Sequence, residues 1–328
     1  MKTVTPSVKP HARNLPLKVG TRGSPLARQQ TATFLAILKQ FCPVLRGMEV
    51  FEEHIIVTTG DAVQHKALAE IGGKGLFAKE IHESLEEGRI DFAVHSLKDL
   101  ETTLPPGIAL ACTLKREDAR DVLILPRGRE LADPADPFSG LPPGAIVGSA
   151  SVRRQAQLKY ARPDLQFTLL RGNVGTRLGK VEAGELDATL LAYAGLRRLG
   201  LAEKASVVLD TDHMLPAACQ GIVGITVREA DTELLSLLSA IEDPEAKAVA
   251  TAERALLASL DGSCRTPIGG YAQLLADGSL HLTGLVARYD GTFLLKRSVT
   301  GAVTDAATMG LELGLSLKAD SPDDIFLP

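Results

Sequence analysis

The chain has 328 residues, of which 45% are hydrophobic and 23% charged, and a formal net charge of −4. At roughly 150 residues per domain this length allows two domains or three small ones, and the composition excludes disordered and fibrous classes. No apolar run approaches the ~20 residues of a membrane-spanning helix, and the longest, near 187–193, reads as a buried strand, so no membrane partner is expected.

In chain order, residues 1–14 are positively charged without the apolar stretch of a signal peptide and read as a loose tail. A strand at 17–21 runs into Arg22-Gly23-Ser24-Pro25, where Ser24 suits an N-cap and Pro25 the first position of a helix over 26–39. A strand at 54–59, a glycine-rich loop IGGKG, a helix over about 76–87 stopped by Gly88 and an apolar strand at 90–95 follow. Prolines 126, 134, 137, 142 and 143 mark a long irregular connection near the start of a second unit. There the alternation resumes with a strand at 145–147, a helix at 152–161, a strand at 166–170, a helix at 174–183 and a strand at 187–191. Strand-helix alternation predicts parallel sheets. After Pro244 a long helix (245–260), three strands (271–275, 280–286, 292–299) and a helix near 306–318 predict a small α+β unit. The fold class expected is therefore α/β, two α/β units and a small α+β C-terminal unit.

The four cysteines (Cys42, Cys112, Cys219, Cys264) are dispersed, and the seven histidines include no His-Glu-x-x-His. Neither a disulfide framework nor a bound metal is suggested, and a reducing cytoplasm is expected. Charge is uneven: from Gly148 to Gly200 nine Lys and Arg stand against four acids, a local +5 that leaves −9 for the remainder. An acidic remainder repels a long polyanion, so the positive segment points to a small, multiply negative ligand and not to nucleic acid.

In open α/β sheets ligands lie beyond the carboxyl ends of the strands, where helix N-termini present unpaired N–H groups. Arg22 and Ser24 stand at the first strand-to-helix turn, and Ser96, Lys98 and Asp99 follow the strand ending VHS. Ser149, Ser151, Arg153 and Arg154 open a helix, and Arg171, Gly172, Asn173 and Arg177 occupy another such turn. Any one of these arginines, taken alone, reads as a solvated surface charge, and Ser149 or Ser151 as a plain N-cap. Five or more arginines at one cleft edge require a counter-charge. The planar guanidinium suits carboxylates, at about 1.5–3 kcal/mol per charged hydrogen bond. Asp99, the lone acid among these bases, has two readings. It pairs with Lys98 or caps a turn; or it faces the cleft and stabilises a cation, opposite charges ~4 Å apart at an effective dielectric of ~20 interacting by about 4 kcal/mol. In the second setting it could also handle a leaving amine. Cys264, in DGSCRTPIGG, is either a buried small hydrophobe or, beside Arg265 in a polar loop, a nucleophile or attachment site.

The segments VGTRGSPLARQQ, IGGKGLFAKEI, DFAVHSLKDL, GSASVRRQAQL, LLRGNVGTRL, ATLLAYAGLRRLGL and DGSCRTPIGGYA occur in this order over nearly the whole chain. Together they closely resemble the porphobilinogen deaminase (hydroxymethylbilane synthase) family. The resemblance implies three domains, the first two built like periplasmic-binding proteins around a cleft: 15–114 with a return segment 217–240, then 115–216, then 241–328. It implies a transferase of tetrapyrrole biosynthesis that condenses four porphobilinogen molecules head to tail, loses four ammonia molecules and releases linear hydroxymethylbilane. The implied cofactor is a dipyrromethane tethered through a thioether to Cys264. Asp99 would be the catalytic acid that holds pyrrole N–H groups and stabilises the azafulvenium cation. Ser96, Lys98, Ser151, Arg153, Arg154, Arg171 and Gly172 would contact the cofactor, and Arg22, Ser24, Arg171, Arg177, Arg198 and Lys74 the substrate. Residues 60–75, with Gly72 and Gly73, would form a mobile lid. A monomer is implied. The chain departs from the family pattern at Glu101, where many members have proline, at Thr226, where an acid is usual, and at Glu70, Ala150 and Ala218-Cys219. The rival reading is a non-catalytic two-domain protein that binds small anions, against which stand the third unit and its Cys264.

Overall fold

The computed structural model describes residues 15–42, 45–46, 50–63, 75–260 and 266–326; the expected N-terminal tail lies outside them. β1 (Leu17–Thr21) leads into α1 (Pro25–Phe41), whose N-cap is Ser24: its Oγ accepts from the Ala27 amide at 3.2 Å, and Pro25 occupies the first turn. β2 (Phe51–Ile55), the single turn α2 (Thr59–Ala62), α3 (Lys79–Glu86), β3 (Phe92–Ser96) and β4 (Ile108–Thr113) complete this stretch of chain. The second unit follows with β5 (Asp121–Ile124), β6 (Ile146–Gly148), α4 (Val152–Ala161), β7 (Gln166–Thr168), α5 (Val174–Glu182), β8 (Ala188–Ala192), α6 (Tyr193–Arg198) and β9 (Val207–Val208). The chain then returns through β10 (Val223–Arg228) and α7 (Thr232–Ser239) before α8 (Pro244–Ser259), β11 (Ile268–Leu274), β12 (Leu280–Ala287), β13 (Leu294–Gly301) and α9 (Ala306–Ala319).

Two sheets share one plan, with strand orders β2-β1-β3-β10-β4 and β7-β6-β8-β5-β9. The expectation of parallel sheets is corrected, because β10 runs antiparallel to β3 and β4, and β5 antiparallel to β8 and β9. A parallel neighbour needs a crossover that carries the chain back to its starting edge. β5 and β10 instead enter straight from the other unit, so each runs against its neighbours. Two crossing segments result, and they bond to each other: the Glu117 amide donates to Gly221 O at 3.0 Å and Gln220 Nε2 to Ala119 O at 2.7 Å.

The strand expected at 54–59 lies at 51–55 because pairing with β1 sets its register, Leu17 opposite Phe51 and Thr21 opposite Ile55. Val57 is left beyond the sheet and 70% exposed. The helix expected from 76 begins at Lys79, since 75–78 are turns and Gly75 has φ of +78°. The third sheet, β11-β12-β13, is antiparallel throughout and packs under α8 and α9. Its core, with Leu256, Leu282 and Leu317, continues through Leu97, Leu100 and Ile222, which flank Asp99 and the second crossing segment. No described helix is long and apolar enough to cross a membrane.

Candidate active site

The ends of β1, β3 and β8 and the starts of α4 and α5 meet around a cavity of about 640 Å³. Arg22, Ser24, Ser96, Lys98, Asp99, Arg154, Arg171, Gly172 and Arg177 line it. A smaller cavity of about 270 Å³ shares Lys98, Asp99, Arg154 and Arg177 with it and adds Ser151, Arg153 and Glu101. Residues more than 150 positions apart in sequence thus converge. Arg198 is not brought to either wall: at the end of α6 its Nη2 donates to Gly221 O at 2.6 Å, on a crossing segment. Lys74 and Cys264 lie outside the described residues, as do Gly72 and Gly73. Thr266, two positions after Cys264, lines the smaller cavity beside Asp99.

The local sequence explains how the side chains are presented. Ser24, Ser151 and Asn173 each cap a helix, which turns that helix's N-terminus and its unpaired N–H groups toward the space between the sheets. The serine readings therefore combine, since Ser24 and Ser151 are caps and cavity walls together. Gly172, at φ of +105°, makes the turn that sends Arg171 and Arg177 to the same wall.

Asp99 is not the only acid, and this corrects the sequence reading. Arg22 donates from Nε to Asp61 Oδ2 at 3.0 Å, stands 3.6 Å from Asp99 by Nη1, and lies over the Phe77 ring at 4.2 Å. Burial works against its charge, but the bond to Asp61 and the fields of Asp99 and Asp61 more than offset this, so its pKa is raised. Asp121 at the head of β5 is fully buried and bridges the two consecutive arginines: Arg153 Nη1 donates to Oδ2 and Arg154 Nη2 to Oδ1, both at 2.7 Å, and Gln220 Nε2 adds a bond at 2.8 Å. Burial alone would raise this carboxyl, but the two guanidiniums hold it well below the usual range. The counter-charge that the arginine cluster demanded is thus partly built in, because two buried guanidiniums without an anion would cost several kcal/mol.

The remaining cations face the cavity more openly. Lys98 Nζ donates to Gln220 Oε1 at 3.1 Å, and burial, only partly opposed by Asp99, brings its pKa down to about 8. Arg177 donates to Gly172 O at 2.9 Å, and burial together with Arg154 and Arg171 lowers it to about 10. A site that lowers the pKa of its own cations stabilises an anion placed among them. Arg171 reaches across the cleft, with Nη1 on Val63 O and Nη2 on Gly60 O, both at 2.7 Å. Beneath the site His95 is neutral, burial with His82 and Arg22 pushing it down to about 3, and Thr226 meets its Nε2 at 2.9 Å.

Sequence reasoning missed Asp61, Asp121 and Gln220. A signal existed for one of them: Asp121 heads the apolar run VLIL, where a buried acid demands a buried partner. Nothing local marked Gln220.

Residues 17–236 match the family model "Porphobilinogen deaminase, dipyromethane cofactor binding domain", and 247–319 match "Porphobilinogen deaminase, C-terminal domain". The porphobilinogen deaminase of Nitrobacter winogradskyi is 46% identical over 312 residues, covering 94% of each chain. The chloroplastic porphobilinogen deaminase of Oryza sativa is 45% identical over 312 residues, 94% of this chain and 85% of that one. Among solved structures, an ancestral cationic amino-acid solute-binding protein has a TM-score of 0.43 at 16% identity, over 69% of this chain and 87% of that one. With matches across both the cleft-forming units and the C-terminal unit, the chain belongs to the porphobilinogen deaminase family.

Proposed function

We propose that the chain is a hydroxymethylbilane synthase. It joins four porphobilinogen molecules head to tail, loses one ammonia for each, and builds the product on a covalently held dipyrromethane. The observation that carries this reading is Asp99, with a side chain 32% exposed, facing a cavity walled by Arg22, Lys98, Arg154, Arg171 and Arg177. Each pyrrole brings an acetate and a propionate. The guanidiniums and the capped helix N-termini hold such carboxylates, while Asp99 stands where a cation develops on the incoming unit.

The donor set fits the dipyrromethane as well as the substrate. Its four carboxylates would lie against Arg153, Arg154, Arg171, Ser96, Ser151 and the Gly172 turn, with Lys98 at the boundary of the two cavities. When bound, the dipyrromethane supplies the terminal pyrrole carbon to which each new unit is joined. Arg22, Ser24, Arg177 and, beyond the described residues, Lys74 are assigned to the substrate. Arg198 is assigned to the crossing segment, where its bond to Gly221 holds the two units in register. Asp99 is placed beside the pyrrole nitrogens, and Phe77, stacked on Arg22, keeps water from that guanidinium. The domain limits are drawn at 15–114 with 217–240, 115–216 and 241–328, following the two crossings. A reducing cytoplasm is the matching setting, supported by the dispersed cysteines, and a monomer is the state the family resemblance implies.

Intact-protein mass spectrometry tests the reading. The expected mass includes two pyrrole units on Cys264, and an unmodified chain that does not turn over porphobilinogen would reject it. Asp99→Asn is expected to retain the fold and lose about three decades in kcat, the worth of a ~4 kcal/mol charge interaction. Wild-type turnover in this variant would remove Asp99 from the chemistry.

A further inference from the structure

Porphobilinogen carries a primary ammonium besides its two carboxylates, and a cleft rich in guanidinium repels it. An anion placed beside the aminomethyl group offsets that repulsion. Among the described acids of the two cavities, Asp61 is taken by Arg22, and Asp99 stands 3.6 Å from the same guanidinium. Asp121, close by but lining neither cavity, is enclosed by Arg153, Arg154 and Gln220. The remaining one is Glu101, two residues after Asp99, on the wall of the smaller cavity.

Three features set Glu101 apart. Its Oε2 is buried and has no hydrogen-bond partner, a state that costs about 1–3 kcal/mol and calls for an explanation. Its backbone is anchored from the third unit, since Arg254 Nη2 donates to Glu101 O at 2.7 Å and to Thr102 O at 3.0 Å. A cradle is kept open for its other oxygen: a Cβ on Gly75 would collide with Glu101 Oε1, and Gly75 has the positive φ that favours glycine. His82 of α3, which burial keeps toward the neutral form against the opposing fields of Glu101 and Glu86, also has two buried ring nitrogens without a partner.

We propose that Glu101 is a specificity-determining residue that receives the ammonium of each incoming porphobilinogen and so aims its aminomethyl carbon at Asp99. When the C–N bond breaks, its electron pair leaves with nitrogen as neutral ammonia, and the positive charge passes to the pyrrole-methylene unit beside Asp99. This assignment rests on the proposed activity and adds the group that distinguishes an aminomethyl pyrrole from a neutral one.

The test uses the holoenzyme and two substrates, porphobilinogen and its analogue with hydroxymethyl in place of aminomethyl, which has the same carboxylates and no ammonium. Glu101→Gln is expected to raise KM for porphobilinogen about tenfold or more, the value of one charged hydrogen bond, with KM for the analogue within about twofold. Glu101→Asp, which keeps the charge, should recover part of the loss. Equal changes for both substrates, or none for porphobilinogen, would overturn the proposal and leave Glu101 a structural partner of His82. Should Glu101→Gln fail to fold, the same comparison is read on Glu101→Asp, where a shift confined to porphobilinogen is expected and parallel shifts overturn it. A wild-type protein inert toward porphobilinogen and lacking the two-pyrrole mass would instead reject the enzymatic reading itself.

Discussion

Asp121 and Lys98 show opposite ways in which single residues shape this site. The buried Asp121 carboxylate fixes Arg153 and Arg154 in place, so their orientation is set before any ligand arrives and little entropy remains to be lost on binding. Lys98 has no carboxylate bonded to it and reaches only Gln220 Oε1, and burial brings it down to about 8. Below that pH the ammonium is charged and attracts carboxylates; as pH rises through it the charge is lost. In the free enzyme kcat/KM for porphobilinogen is therefore expected to fall as pH rises past about 8. Lys98→Arg, charged throughout, should flatten that limb, and a limb unchanged by the substitution would belong to another group. Neither pKa shift was legible in the sequence, where Lys98 is one cation among many.

At the scale of elements, close helix packing fixes the end of α8, whose last residue, Ser259, stands five positions before Cys264 in sequence. A Cβ on Gly310 would collide with the Ala252 carbonyl, and one on Gly314 with the Ser259 hydroxyl, so two glycines four apart let α9 lie directly against α8. Gly310→Val is expected to lower stability by about 1–3 kcal/mol through overpacking, read by urea unfolding of the holoenzyme. Gly179→Ala in α5, where an added Cβ meets nothing within 4 Å, serves as control and should be neutral or slightly stabilising. Equal behaviour of the two variants would mean that the α8–α9 contact yields. Helices were the most legible elements: 152–161 was read from sequence with the observed bounds, and Ser24-Pro25 with its observed capping role. β4 and β5 were missed, being short apolar runs without flanking helices of their own.

Across the whole molecule one side chain ties the three units. Glu253 of α8 is fully buried; its Oε1 accepts from Arg116 Nη1 and from the Ala272 amide, both at 2.6 Å, and its Oε2 from the Cys219 amide at 2.5 Å. Arg116 and Cys219 belong to the two crossing segments, and Ala272 to β11. Glu253→Ala leaves Arg116 without its carboxylate, at a cost of about 3–5 kcal/mol. A loss below about 1 kcal/mol on urea unfolding would show that water or a rearranged neighbour replaces the carboxylate. Glu253 was not singled out in the sequence because an acid in an alanine-rich helix looks like a solvated surface charge.

By itself the sequence determined the α/β alternation, the helix caps and the set of arginines around Asp99, because these follow from periodicity, capping chemistry and the placement of charge at strand ends. Only the tertiary structure decided which arginines already hold an internal anion, that Arg198 binds a crossing segment, and that β5 and β10 run against their neighbours. Those outcomes depend on pairs such as Arg154–Asp121, 33 residues apart, and Glu253–Arg116, 137 apart. No local pattern encodes such a pair, since the residues meet only when the chain has crossed between its two mixed sheets.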